Sequence, residues 1–394
     1  MARILNLLIL VCSFMNAQPQ LYDFSYGEDN RQYYLYTPDS LEAGAALIFV
    51  FHGYSGSAAG IMGYSDLNDL ADQNGFVVCY PQGLIDDWDY RFWNVGYEFH
   101  SNETHDDVGF VKALAYYLQV QYQLSSYNTY STGMSNGGDM SYLLACQASD
   151  VFRAVAPVAG CMMTWIYDSC EPIRPIPVFE IHGTDDDVTW WEGADENNND
   201  GWGPWESVDT TFNFWTEINE CTEYTVDTLP NVNPTDGSFV IGHKNIHGIN
   251  DNEVWLYEVV NGGHDWPGAW GNMDINASAE IWGFLDQFST PASGGNPKSS
   301  PCPLRPAGGP SPSRAHGGHR RHPGQVQQTT GPLAGERGVL PHSRTCIHRV
   351  GIRHDRSRPM DPGGAEKLSP AAPPPDHPGP LRSRVPPGVS ACPA

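Results

Sequence analysis

Basic residues are scarce in this chain: Lys and Arg number 21 against 46 Asp and Glu, for a formal net charge of −25. The shortage is concentrated in residues 1–290, which hold 7 of the basic residues and 41 of the acidic ones, a balance of −34. So acidic a body repels polyanions, and nucleic acid is not an expected partner. No apolar run is long enough to cross a bilayer, so no membrane association is expected. The spacings CxxC and HExxH do not occur, which removes the common zinc patterns; neither metal nor cofactor is expected.

The last 104 residues lack something else. They contain no Phe, Tyr or Trp, yet carry 21 of the 32 prolines and 14 Lys and Arg against 5 Asp and Glu. Such a segment cannot bury enough apolar area to offset the entropy of ordering it, so residues 291–394 read as a disordered Pro/Gly/Arg-rich tail. The change of composition is abrupt enough to suit out-of-frame or foreign sequence equally, and no function is assigned to it. At the other end, "MARILNLLILVCSFMNAQ" has one Arg, a short apolar run and then small and polar residues. It reads as a signal peptide over residues 1–17, cleaved after Ala17, which makes the protein a secreted one, extracellular or periplasmic. Cys12 as a lipid attachment site is disfavoured by the bulk of Val11 before it.

Residues 18–290 are long enough for one large domain with a sizeable core. Five cysteines fall in this body: Cys79, Cys146, Cys161, Cys170 and Cys221. An odd number leaves at least one thiol free even where disulfides form. Cys79, in the apolar run "GFVVCY", reads as a small core residue, and one disulfide is expected among Cys161, Cys170 and Cys221.

Apolar runs rich in β-formers recur along the body: "ALIFVF", "GFVVCYPQG", "YNTYSTG", "FRAVAPVAG", "IPVFEIHGT" and "VWLYEVVNGGH". Between and after them, "SDLNDLADQNG", "HDDVGFVKALAYYLQVQYQL", "MSNGGDMSYLLACQAS", "WESVDTTFNFWTEIN" and "MDINASAEIWGFLDQF" space apolar residues at helical intervals. Strands alternating with amphipathic helices predict an α/β fold, a mostly parallel central sheet with helices on both faces. Ligands bind such sheets beyond the carboxyl ends of the strands, which singles out the loops starting at His52, Gly133, His182 and Gly262.

One of those loops contains "STGMSNGGDM", with Ser135 at the G-x-S-x-G spacing. In a chain rich in Gly and Ser the pentapeptide can arise by chance. Its context is more telling: a strand before and a helix after place Ser135 at a sharp turn that exposes its hydroxyl at the positive end of a helix. A serine hydroxyl becomes a nucleophile when a histidine takes its proton and an acid orients the histidine. The expected chain order is Ser, then acid, then His. "IHGTDDDVTW" supplies Asp185, Asp186 and Asp187 after one strand, and spacing alone does not choose among them. "NGGHDWPG" supplies His264 after the last long strand. His243 and His247 read as residues of a surface turn, and His52 and His182 as packing or loop-shaping residues. An oxyanion hole needs two backbone N–H groups, for which the amides of Asn136 and Tyr54 are the candidates.

The segments "FHGYSGSAAG", "GFVVCYPQG", "FWNVG", "DDVGFVKAL", "TGMSNGGDMSYLLAC", "FRAVAPVAG", "IHGTDDDV" and "GGHDWPG" together resemble the secreted esterases grouped as polyhydroxybutyrate depolymerase-like and feruloyl or acetylxylan esterases, over residues 25–290. The resemblance implies an α/β-hydrolase fold and a Ser-Asp-His carboxylic ester hydrolase. Its "HGT-x-D-x-V" pattern selects Asp186 from the three aspartates, and its "HG-x" oxyanion loop agrees with Tyr54. The chain departs from the pattern in the long acidic insertion "WWEGADENNNDGWGPWE", whose Asp and Asn spacing is similar to a calcium loop but whose glycine is not in the register such a loop requires.

Tryptophans crowd the loops after the acid and the base, and Trp190, Trp191 and Trp266 are expected to form flat walls for substrate. The expected substrates are feruloyl or acetyl esters of plant polysaccharide or related small esters, with polyester depolymerisation as the alternative. A serine peptidase and an inactive binding protein on the same scaffold are the remaining rivals. The ester is the expected partner, and the chain is expected to act as a monomer.

Overall fold

A computed structural model of the chain describes residues 17–197 and 201–290. The expected signal peptide over residues 1–17, apart from Ala17, and the expected tail over 291–394 lie outside the described residues. The first strands are β1 (Gln20–Tyr26), β2 (Asp29–Tyr36) and β3 (Leu47–Phe51), followed by helices α1 (Ala58–Ser65) and α2 (Leu67–Asn74). Next come β4 (Val77–Gln82), the short pair β5 (Leu84–Ile85) and β6 (Arg91–Phe92), and α3 (Asp107–Gln121). The central units are β7 (Thr129–Met134), α4 (Asn136–Gln147), β8 (Ala154–Val158), α5 (Thr164–Ser169) and β9 (Val178–Gly183). The last part holds α6 (Val208–Ile218), β10 (Glu223–Thr228), β11 (Phe239–Ile246), β12 (Val254–Val260) and α7 (Ala277–Asp286).

Ten strands form one sheet in the order β1-β2-β4-β3-β7-β8-β9-β12-β11-β10. The inner six, from β4 to β12, run parallel, and antiparallel strands flank them on both sides. This mostly parallel sheet with its early crossover is the α/β-hydrolase arrangement. Side-chain alternation divides the core in two: Leu47, Phe49 and Phe51 of β3 pack with residues of α3 and α4, while Ile48 and Val50 pack with residues of α1, α2 and α7. The period of two along a strand buried on both faces produces this division.

Helix ends follow local chemistry. Ser57, Asp106, Ser207 and Asn276 each cap a helix by accepting a backbone N–H through the side chain. Asp107, beside the Asp106 cap, is instead buried against Arg31 of β2 at 2.5 Å and accepts the Asn94 amide at 2.7 Å. At the far end, Asn128 exchanges hydrogen bonds with the Thr290 backbone, which pins the last described residue to the sheet.

Three expectations are corrected. The disulfide joins Cys146 to Cys170, so it draws on a residue of helix α4 rather than pairing two of the three loop cysteines; Cys161, Cys221 and the buried Cys79 are free. His243 lies within strand β11, stacked on Tyr224, and not in a turn. The first helix is α1, over Ala58–Ser65, ahead of the segment "SDLNDLADQNG" that reads as the first helical one.

Candidate active site

Strand β7 ends at Met134 and helix α4 starts at Asn136, so Ser135 alone makes the turn, at φ 57° and ψ −126°. That backbone is costly for a residue with a Cβ and is held here by the surrounding packing. Two glycines allow the approach. A Cβ at Gly137 would stand 2.0 Å from the Phe51 carbonyl oxygen, and one at Gly133 would stand 2.5 Å from the same atom. Ser135 accepts helix amides through its carbonyl and donates its own N–H to Val158, so its hydroxyl is left to face the cleft.

The loop after β12 brings His264 to Asp186: His264 Nδ1 lies 2.8 Å from Asp186 Oδ2. The Asp186 side chain is buried, and its Oδ1 accepts the amides of Val188 and Thr189, both at 2.8 Å. Burial works to raise the Asp186 pKa, but the hydrogen bond and charge of His264, the charge of His182 and the Thr189 amide outweigh it and hold the carboxyl below its usual range. Asp185 and Asp187 are exposed. With Nδ1 committed to Asp186, His264 Nε2 is the nitrogen left for a reacting group, although among the described residues no hydrogen bond joins it to the Ser135 hydroxyl.

The candidate oxyanion donors are the backbone amides of Asn136 and Tyr54. The Asn136 amide is the first of helix α4, and the Gly53–Tyr54 segment abuts Ser135: a Cβ on Gly53 would sit 3.3 Å from Ser135 Cβ. Among the described residues, neither the Asn136 nor the Tyr54 backbone N–H has a protein acceptor. The Asn136 side chain is occupied elsewhere, accepting the Trp93 amide at 2.7 Å and donating to the Trp93 carbonyl at 3.0 Å. The Tyr54 hydroxyl donates to Asp86 at 2.6 Å, and Asp86 also accepts from His100 at 3.0 Å. His52 anchors the loop from below. Its Nδ1 donates to the Gly53 carbonyl at 2.8 Å, and its Nε2 accepts the Gly83 amide at 3.0 Å. That pattern requires a neutral ring, and burial brings its pKa down to about 4.

Beside Ser135 is a cavity of about 30 Å³, walled by Tyr97, Asp139, Cys161, Thr189, Trp202 and Trp205. Asp139 is buried, accepting from the Tyr97 hydroxyl at 2.5 Å and the Cys161 amide at 2.6 Å, and burial pushes its pKa up to about 6. From this cavity an aromatic wall extends outward. Trp202 packs against Tyr54 and Phe99 at ring separations of 5.3 and 4.9 Å, and Phe99 against the exposed Trp88 at 5.5 Å.

The expected substrate walls need correction. Trp266 is 1% exposed, packed edge-on to Tyr64 and hydrogen-bonded to Ser278, so it is a core residue. Trp191 lines a separate cavity with Phe212, Tyr224 and His243. Trp190 stands behind Trp205, at a ring separation of 5.6 Å, and does not line the Ser135 cleft. The cleft tryptophans are Trp202 and Trp205, which tryptophan density along the chain could not separate from the rest. Asp139 carries no mark of its own in the sequence beyond its place one helical turn after Ser135. No helix among the described residues is long and apolar enough to cross a membrane, and none of their His, Cys, Asp and Glu side chains form a group of three able to hold a metal ion.

Residues 31–178 match the model of the esterase PHB depolymerase family, a stretch that includes Tyr54, Ser135 and Asn136. A bifunctional acetylxylan esterase/xylanase from Neocallimastix patriciarum is 25% identical over 285 residues, 71% of this chain and 37% of that protein. Feruloyl esterase B of Piromyces equi is 28% identical over 251 residues, 63% of this chain and 43% of that protein. The chain thus spans about two fifths of the length of these curated relatives. Among solved structures, an acetyl xylan esterase from Aspergillus awamori aligns with a TM-score of 0.47 at 15% identity, over 68% of this chain and 99% of that one.

Proposed function

We propose that this chain, whose residues 31–178 carry the esterase PHB depolymerase domain, is a secreted serine esterase acting on carboxylic esters, with residues 18–290 as its catalytic domain. The observation that carries the reading is the 2.8 Å contact from His264 Nδ1 to the buried Asp186, in a loop at the same sheet edge as the strained turn at Ser135. In the proposed reaction His264 Nε2 takes the Ser135 proton as Oγ attacks the ester carbonyl. Asp186 holds the imidazole tautomer and stabilises the imidazolium, and the Tyr54 and Asn136 amides receive the oxyanion. The alcohol leaves with the proton from His264. Water then enters, and the same base deprotonates it to cleave the acyl-enzyme.

The cavity beside Ser135 supports a small acyl group. Its volume of about 30 Å³ suits a methyl group, and a ferulate ring would require Trp202 or Trp205 to move. The aromatic wall from Trp202 to Trp88 suits a flat, larger alcohol such as a sugar. Acetylated polysaccharide is therefore the preferred substrate class over feruloyl esters and polyesters.

Secreted full-length protein assayed on p-nitrophenyl acetate, acetylated xylan, methyl ferulate and short polyhydroxybutyrate chains tests the reading. Acetyl esters are expected to lead ferulate by at least about tenfold in kcat/KM. Ser135→Ala is expected to abolish turnover and fluorophosphonate labelling while circular dichroism is unchanged. Undiminished ester hydrolysis by that variant would refute the nucleophile, and a ferulate preference would refute the acyl assignment.

A further inference from the structure

His182, near the carboxyl end of β9, is fully buried behind Asp186. Both of its ring nitrogens face oxygen: Nδ1 lies 2.8 Å from Glu180 Oε1, and Nε2 lies 2.7 Å from the Thr189 carbonyl. A carbonyl oxygen only accepts, so Nε2 must carry a proton. The Glu180 contact then holds one more proton, on Nδ1 or on the carboxyl. Two neighbours place it on the ring. The Tyr142 hydroxyl donates to the other oxygen of Glu180, which favours the carboxylate, and Asp186 Oδ2 lies 3.7 Å from Nε2, which favours a cation.

The remaining surroundings do not compete for that role. Glu258, opposite His182 on β12, is turned to His243 at 2.9 Å. Trp191 presents its ring at 6.0 Å, roughly perpendicular. Cys161 is a half-buried thiol whose pKa is raised by desolvation, so it is neutral. His264 lies beyond Asp186, on the carboxylate oxygen that His182 approaches.

We propose that His182 is a standing buried imidazolium, clamped by Glu180 and the Thr189 carbonyl, and that it is a positioning residue for Asp186. Its charge keeps Asp186 ionised where water is excluded, and it tempers the negative field that Asp186 imposes on His264. Burial alone would lower the His182 pKa, yet the bond and charge of Glu180, the charge of Asp186 and the Thr189 carbonyl together raise it. The role rests on the proposed triad, whereas the charge state does not, so the two are tested separately.

Long-range proton–nitrogen correlation spectra of full-length protein labelled with 15N-histidine report the charge state directly. One ring is expected to keep protons on both nitrogens at neutral pH, where a free imidazole is mostly neutral, and to retain them in D2O. Loss of that signal in His182→Gln assigns it. If that variant fails to fold, resistance to exchange still separates the buried ring from His105, whose side chain is 31% exposed between Asp29 and Glu103, and His100→Gln separates it from the buried ring beside Asp86. A bare nitrogen on every exchange-protected ring at neutral pH would overturn the imidazolium. For the positioning role, the acid limb of kcat/KM in His182→Gln is expected to move up by about one pH unit, because His264 then faces Asp186 without the opposing cation. A limb that stays in place, with only stability reduced, would overturn the role. A doubly protonated ring in a protein without esterase activity would keep the imidazolium and remove the triad.

Discussion

Asp186 satisfies three donors with two oxygens, and this decides what an amide would do in its place. In Asp186→Asn, the Nδ2 group must face either the Val188 and Thr189 amides or His264, and each choice puts a donor against a donor. The relief is a flipped tautomer, with His264 Nδ1 accepting and Nε2 protonated toward Ser135. Hydrolysis of p-nitrophenyl acetate is expected to fall by about 10⁴ in kcat with little change in thermal stability. His52 gives a second expectation. Its folded pKa of about 4 lies below the unfolded value near 6.5, so unfolding takes up a proton between these values. The stabilisation is complete above the unfolded pKa and is lost as pH falls through the folded one. Melting temperatures should therefore decline from about pH 6.5 to pH 4, and His52→Gln should flatten that part of the curve. At this scale the sequence was half legible. Ser135 and His264 stood out because glycines mark sharp turns at strand ends. Nothing in three consecutive aspartates says which one turns inward, and tryptophan spacing did not reveal that Trp266 packs inward on Tyr64 and Ser278.

Glycine contacts make opposite predictions in two helices. Gly137 of α4 lies against the Phe51 carbonyl, and the 2.0 Å approach of an added Cβ means helix or strand must shift. Gly137→Ala is expected to destabilise the fold by about 3 kcal/mol or more, seen as loss of soluble protein or a large fall in the urea midpoint. Gly283 of α7 has open space where a Cβ would go. Gly283→Ala should stabilise by roughly 0.5–1 kcal/mol on the same assay, because alanine gives up less backbone entropy in a helix. The central strands were legible for a related reason: β3 and β8 are buried at every position and read as unbroken apolar runs, while the equally buried β7 (TYSTGM) and β9 (VFEIHG) carry polar residues among the apolar ones. The outer strands were not. β10, "EYTVDT", is exposed at every position, and β1 is nearly so, which leaves no apolar pattern to read. Helix α1 escaped because Gly60 and Gly63 within it look like loop punctuation.

Across the whole molecule, one covalent link and one charge imbalance carry expectations. The Cys146–Cys170 disulfide closes a loop of 24 residues, from the end of α4 to the end of α5. Its removal by Cys146→Ser with Cys170→Ser should cost about 3 kcal/mol and lower the melting temperature by roughly 10 °C in scanning calorimetry. The balance of −34 over residues 1–290 repels itself in the compact state. Raising sodium chloride from low to moderate concentration should screen that repulsion and raise the melting temperature by roughly 2–4 °C. The overall class was legible because alternating strand and helix patterns fix a layered sheet. The disulfide was not, since a cysteine inside a helix gives no sign of reaching a loop 24 residues away.

The Asn136 side chain imitates a strand, giving and receiving one hydrogen bond with the backbone of Trp93. Aspartate could return only the acceptor, and glutamine would overreach by a methylene. An engineer widening the acyl cavity can therefore vary Trp202 and Trp205 at the mouth, whereas residue 136 is committed to asparagine by architecture before chemistry makes any demand on it.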